Sequence, residues 1–241
     1  MKRFILDGLN AISNGYSICG IADRRGRVYP LGSDTKVIGA VFELVSRQVV
    51  AAYAKHAGLI LKEPDKQNHY PDFTLMRDRN DRAKIAIDVK TTYRRTERSA
   101  FSYTLGSYTS YINPATESKN IVFPYSDYGE HWVIGFVYRR RSDKRSGDSG
   151  VYTIDQIDDV PLPFDDAAVF MQEKRRIAGD KAGSGNTANI GSITGDLDDF
   201  VSGKGVFDSE DEFIRYWRGY QRTKIARGKA YGTIDGFRSM T

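Results

Sequence analysis

Two short strings carry residue types that could do chemistry together. They are "NHYPDFTL", where Pro71 precedes Asp72, and "KIAIDVKTTY", where Asp88 and Lys90 stand two apart. Both alternate in the period of a strand, and the polar interval "RDRNDRA" between them reads as the turn of an antiparallel hairpin. In the second string Ile85, Ile87 and Val89 face one side and Ala86, Asp88 and Lys90 the other, with same-side neighbours about 6.5 to 7 Å apart. Antiparallel pairing would set the Asp72 carboxylate beside that of Asp88. Carboxylates held so close repel each other, and a divalent cation resolves the conflict. Mg2+ suits the arrangement, because it takes oxygen ligands and is usually held by one or two carboxylates, with water and substrate phosphate in its remaining positions. Lys90 would then orient the attacking water or stabilise charge on phosphorus, while Pro71 constrains the backbone entering the strand. The chemistry implied is hydrolysis of a phosphodiester. Two other readings use the same residues. Asp72 could close a turn, with Asp88 and Lys90 paired on a solvated face for about 0 to 1 kcal/mol. Paired acids could also serve metal-free carbohydrate hydrolysis, which gives the lysine no task.

Several elements must position these groups. "SDTKVIGAVFELVSRQVVAAYAKHAG" opens on Ser33 or Asp34 as an N-cap and carries Val37, Ile38, Val41, Phe42, Val45, Val49 and Tyr53 at helical spacing. It ends near Gly58, so a long helix is expected there. "NIVFPY" and "HWVIGFVYRR" read as further strands. "SEDEFIRYWRGY" begins with a capping box from Ser209 to Glu212 and sets Phe213, Trp217 and Tyr220 on one face of a second helix. "RRRSDKRSGDSG", from Arg139, reads as a solvated turn. "AGSGNTANIGS", residues 182–192, holds no charged residue and by composition alone is a flexible linker. Alternating helices and strands in this order predict an α/β fold.

Composition bounds the class. The 241 residues suffice for one sizeable core, so a single domain over 1–241 is expected. With 40% hydrophobic and 28% charged residues, the chain should fold as an ordinary globular protein. No apolar run suggests a membrane span, and "MKRFILDGLNAIS" is too polar for a signal peptide, so a cytoplasmic protein without a membrane partner is expected. The lone cysteine, Cys19, excludes an internal disulfide and a Cys-rich zinc site and should be a small buried side chain. A net charge of +5 is compatible with a polyanionic partner.

The Pro-Asp and Asp-x-Lys pattern resembles the core of type II restriction endonucleases. The resemblance extends through "GRVYPLGSDTKV", "FELVSR", "KQNHYPDFTL", "KIAIDVKTTY", "TLGSYTSYI", "AGDKAGSGNTANIGSI", "GKGVFDSEDEF" and "YWRGYQRT", in family order from about residue 16 to about residue 223. It implies a restriction-endonuclease-like fold, a central mixed β-sheet flanked by helices. It implies a sequence-specific, Mg2+-dependent double-strand DNA endonuclease of a bacterial restriction-modification system, acting as a homodimer without a nucleotide cofactor. It also implies the palindrome GATATC as the site, cut at its centre to blunt ends. A binding protein of the same fold that no longer cuts is the alternative, which the intact Asp72, Asp88 and Lys90 disfavour.

Roles follow from the resemblance position by position. Asp72, Asp88 and Lys90 match the catalytic carboxylates and lysine. Glu43 in "FELVSR" matches an acidic residue near the metal with a supporting role, which makes it a catalytic and metal-site candidate rather than an exposed helix charge. Lys36 in "SDTKV" matches a lysine near the active site and could equally be a solvated first-turn residue. The uncharged loop at 182–192 matches one that enters the major groove, which would make Gly183, Gly185, Asn186 and Thr187 base readers with Asn189 in support. Asn can pair bidentately with adenine, a Thr methyl can pack on that of thymine, and glycines admit close backbone approach. Ala188 stands where the family member has threonine. Gln67 and Asn68, in the loop around 66–70, match a loop near the minor groove or the phosphates, with Lys66 in place of a glutamine and His69 as a hydrogen-bonding loop residue. Thr91 and Thr92 could donate hydroxyls to phosphates, although for at least one of them a place in the sheet is expected. The stretch "NGYSICGIADRRGRVYP" is implied to form the dimerisation strand and turn.

Overall fold

A computed structural model describes residues 1–12, 17–116, 118–141, 150–183, 188–221, 225 and 230–240. Its centre is a mixed five-stranded sheet, ordered β3 (Ile60–Lys62), β4 (Phe73–Met76), β5 (Lys84–Arg94), β7 (Tyr128–Arg140) and β9 (Phe164–Glu173). β4 and β5 form the expected antiparallel hairpin, with Phe73 opposite Ile87. β5 and β7 run parallel, and the other pairs are antiparallel. Smaller sheets join β1 (Gly20–Ala22), β2 (Arg27–Pro30) and β8 (Tyr152–Thr153), and β10 (Ala178–Ala182), β11 (Asn189–Ser192) and β6 (Thr104–Ser107).

The alternation along β5 separates two cores. Ile87 packs with the helices α1 (Lys2–Ile12) and α2 (Thr35–Ala57), in a cluster that includes Ile5, Ile38, Phe42, Val49 and Phe136. Ala86, on the other face, belongs to a tyrosine-rich cluster with Tyr70, Tyr111, Tyr128, Phe170 and Trp217. Asp88 and Lys90 share the face of Ala86, so the chemistry lies on the tyrosine side. α2 begins and ends where its caps require. The Asp34 carboxylate accepts from the Lys36 and Val37 amides, and Gly58 closes the helix with φ 66°. Its buried face is Ile38, Phe42, Ser46, Val49, Val50 and Ala54. Val37, expected on that face, is exposed, while Ile38 beside it is buried. Phe42 stacks on Phe136 with ring centroids 4.3 Å apart, and burial of such a ring contributes roughly 1.5 to 3 kcal/mol. By length and composition α2 could cross a bilayer, contrary to the expectation that no segment could. Here it is a helix packed on the sheet, with Glu43, Arg47 and Lys55 exposed along it.

The second expected helix is α4, Glu210–Gly219, following α3 (Leu197–Ser202). Ser209 Oγ accepts from the Glu212 amide at 3.1 Å, but the Glu212 carboxylate takes the Asp208 amide at 2.8 Å, so the capping box closes one residue early. Phe213 and Trp217 are fully buried, while Tyr220 sits at the C-cap and is partly exposed. "NIVFPY" is not a strand. Asn120 adopts φ 57°, Pro124 has no N–H to give to a ladder, and a turn of 3-10 helix follows at Tyr125–Asp127. Only a bridge from Ile121 to Tyr70 remains of it. In the charged stretch from Arg139, Arg139 and Arg140 still belong to β7 and residues 142–149 lie outside those described. Cys19 is buried beside Val28 and Val160, as expected.

Candidate active site

The hairpin register that pairs Phe73 with Ile87 sets Asp72 opposite Asp88. Asp88 is 4% exposed. Its Oδ2 lies 2.6 Å from Lys90 Nζ, an ion pair whose angles are not those of a hydrogen bond, so that oxygen accepts none. Asp72 Oδ2 accepts from the Val89 amide at 2.6 Å, which fixes one carboxylate to the backbone of the strand that bears the other. Lys90 also donates to the Val89 carbonyl at 3.3 Å, and its side chain is 25% exposed.

The electrostatics match this crowding. Burial and then the Asp88 charge push the Asp72 carboxyl up to about 7, against the pull of Lys90 and the Val89 amide. Burial pulls Lys90 down, but Asp88, Asp72 and Glu43 together raise it above the ordinary lysine value. Glu43 is solvent-exposed on α2, yet the protein around its carboxyl raises it, with Lys90 opposing and Asp88 adding to the rise. Among the described residues no group of three or more His, Cys, Asp and Glu side chains is close enough to hold a metal, so Glu43 does not complete a cluster with the two aspartates. The Asp72 and Asp88 pair does fit a hard divalent cation. Its donors are oxygens, and the buried Asp88 Oδ2 has no hydrogen-bond donor of its own.

The raised Asp72 has a consequence for the metal-free protein. An unfolded aspartate gives up its proton near pH 3.9, whereas the folded one keeps it to about 7, so the folded state loses stability as pH rises through that window. Asp72→Asn is therefore expected to raise the melting temperature in EDTA relative to the parent, with a gain that is absent at pH 4, grows to pH 7 and is flat above it. Thermal unfolding of both proteins across pH 4 to 9 checks this.

A cleft of about 260 Å³ contains Asp72, Asp88 and Lys90 and is lined also by Gln67, Asn68, His69 and Asn189. Three expected site residues from two separate loops thus converge on the carboxylates. Gly183 lies at the base of the β10–β11 hairpin, donating its amide to the Asn189 carbonyl at 2.8 Å. The described residues of 182–192 thus belong to the paired strands β10 and β11, and Gly185, Asn186 and Thr187 lie outside the described residues. Lys36 is an exposed first-turn residue of α2 and does not line the cleft. Thr91 shares the face of Ile87 and Val89, and Gly39 of α2 is its neighbour. Thr92 is on the face of Lys90, and neither threonine lines the cleft. A larger hollow of about 530 Å³, bordered by His131, Trp132 and Glu210, contains neither aspartate.

The sequence reading gave no role to Gly106, Ser107, Ser110 and Tyr111, which line the cleft with Tyr70 and Asn120. "TLGSYTSYI" had been visible as a block, but its distance along the chain from the hairpin hides the contact. Tyr70 and Tyr111 stack with centroids 4.5 Å apart and form one wall. The Tyr70–Pro71 peptide is cis.

A family model described as "Restriction endonuclease EcoRV" matches residues 12–241. The chain is 48% identical over 239 residues, 99% of its length and 96% of the other protein's, to "Type II restriction enzyme EcoRV" of Escherichia coli. Among solved structures, "NlaIV restriction endonuclease" is 12% identical, covering 86% of this chain and 76% of that one with a TM-score of 0.36. The family implies a DNA substrate and a divalent metal cofactor. With two carboxylates and a lysine gathered as its chemistry needs, the chain belongs to the EcoRV family of type II restriction endonucleases, enzymes that cut DNA at specific sites.

Proposed function

We propose that this enzyme is a single domain over residues 1–241 that uses Mg2+ to cleave both strands at GATATC, centrally and to blunt ends. It would act as a homodimer without a nucleotide cofactor, in the cytoplasm of a bacterium, as part of a restriction-modification system. The observation that carries the reading is the paired Asp72 and Asp88 with Lys90 on one strand face, inside a cleft edged by Gln67, Asn68 and Asn189. Asp72 and Asp88 would hold the cation, and Glu43, outside their cluster, would act on the site through its charge. When bound, Mg2+ would polarise the scissile phosphate and steady the leaving oxygen. Lys90, at once partly exposed and tied to Asp88, would hold the attacking water and counter the charge gathering on phosphorus. The Asp72 bond to the Val89 amide would keep both carboxylates in register with that phosphate.

Base reading would fall to Gly183, Gly185, Asn186, Thr187 and Asn189, in the stretch of chain that links β10 to β11. Gln67 and Asn68 would meet the minor groove or the phosphates, and Lys36, Thr91 and Thr92 would add phosphate contacts where the DNA path reaches them. A palindromic site calls for a twofold dimer with one cleft per strand. The β1–β2–β8 sheet supports the proposed dimer contact, since Ile21 at 61% and its strand partner Tyr29 at 38% exposure leave an uncovered apolar face. Sequencing the ends of a digested plasmid of known sequence tests site and cut position together. Blunt ends between T and A of GATATC are expected; staggered ends or another sequence would overturn that part of the reading.

A further inference from the structure

Lys174 is 0% exposed, just past the end of β9, and among the described residues it forms no ion pair. Its ammonium instead lies 4.3 Å from the ring centroid of Tyr70 and 5.2 Å from that of Tyr111, and it donates to the Tyr111 hydroxyl at 3.3 Å. Those two rings are the stacked wall of the carboxylate cleft. Gly106 makes room for this arrangement, since with φ 96° it leaves open the space the Tyr111 hydroxyl fills; a Cβ there would lie 3.8 Å from the ammonium itself. An unpaired buried cation is costly, and an apolar side chain of similar volume would fill the same space without that cost. The position therefore calls for a reason other than packing.

The reason is the charge on the far side of the wall. Burial lowers Lys174 to about 8, and the strongest influence opposing it is Asp88. At neutral pH the side chain remains a cation that feels the carboxylate site through the two rings. We propose that Lys174 is a positioning residue of this site: its ammonium, seated behind the Tyr70 and Tyr111 wall, offsets the charge of Asp88 and so loosens the hold of the carboxylate pair on a divalent cation. The inference rests on the reading of Asp72 and Asp88 as cation ligands.

The test follows binding without DNA, as the rise in melting temperature with added MgCl2, for the parent, Lys174→Met, Tyr111→Phe and Asp88→Ala. Lys174→Met is expected to reach any given rise at a Mg2+ concentration at least ~3-fold lower than the parent, because one repelling charge is gone. Tyr111→Phe removes the hydrogen bond and keeps both ring and charge, so its rise should follow the parent's at every Mg2+ concentration. A purely structural lysine would make the two variants alike, and equal shifts, or none in Lys174→Met, would overturn the proposal. Should Lys174→Met not fold, Lys174→Gln carries the same expected shift. A parent showing no Mg2+ response that Asp88→Ala abolishes would contradict the cation reading itself, and this inference with it.

Discussion

Asp88→Ala is expected to lower the single-turnover rate of DNA cleavage by at least ~10³-fold while leaving DNA binding intact. Asp88 lies on the same strand face as Lys90 and 2.6 Å from it, so its loss removes both a proposed cation ligand and the anchor of the lysine. It takes nothing from the β4–β5 ladder, which runs through backbone groups. The substitution also removes a charge that raises the Asp72 carboxyl, so the variant should melt no lower than the parent in EDTA. Gel-shift binding in EDTA beside a quench-flow cleavage trace measures both halves. Cleavage within ~10-fold of the parent would remove Asp88 from the reaction.

Asn186→Ala is the second large effect, and it falls on selection. Asn186 follows Gly185 in the uncharged stretch that links β10 to β11, and a side-chain amide can meet adenine edge-on. One bidentate contact of that kind discriminates by about 1 to 3 kcal/mol, so preference for the cognate site over a one-base variant should fall roughly 5- to 150-fold. The dependence of binding on salt should not change, because salt reports phosphate contacts and not base contacts. Competition binding on cognate and altered duplexes at two salt concentrations separates the cases. A uniform loss of affinity with selectivity preserved would remove Asn186 from the readers.

What was legible in the sequence was local. The opposition of Asp72 and Asp88 follows from two alternating strings joined by a short polar turn, and it appears in the register as expected. The ends of α2 were legible because Asp34 and Gly58 do capping jobs that other residues do poorly. "NIVFPY" misled because its apolar residues fit a strand while the left-handed Asn120 and the donorless Pro124 do not. Long-range partners were hidden altogether. Tyr111 reaches the cleft from beyond β6, and Lys174 reaches the Tyr111 hydroxyl from the end of β9. Neither carries a mark in its own neighbourhood of the chain, since a buried cation and a stacked ring are defined by what tertiary packing brings to them. The segment 178–192 shows the same limit in milder form: its glycines and asparagines announce a loop, but the pairing of β11 with β6 joins segments more than 80 residues apart.

On the proposed function, the Asp72 and Asp88 pair cuts DNA by way of a divalent cation. The most direct measurement is digestion of a supercoiled plasmid bearing one GATATC site by the purified chain, with MgCl2 and then with excess EDTA. A single linear product with Mg2+ and intact supercoiled plasmid in EDTA is expected. Cleavage that persists in EDTA, or no cleavage with Mg2+ by a folded protein that binds the site, would contradict it.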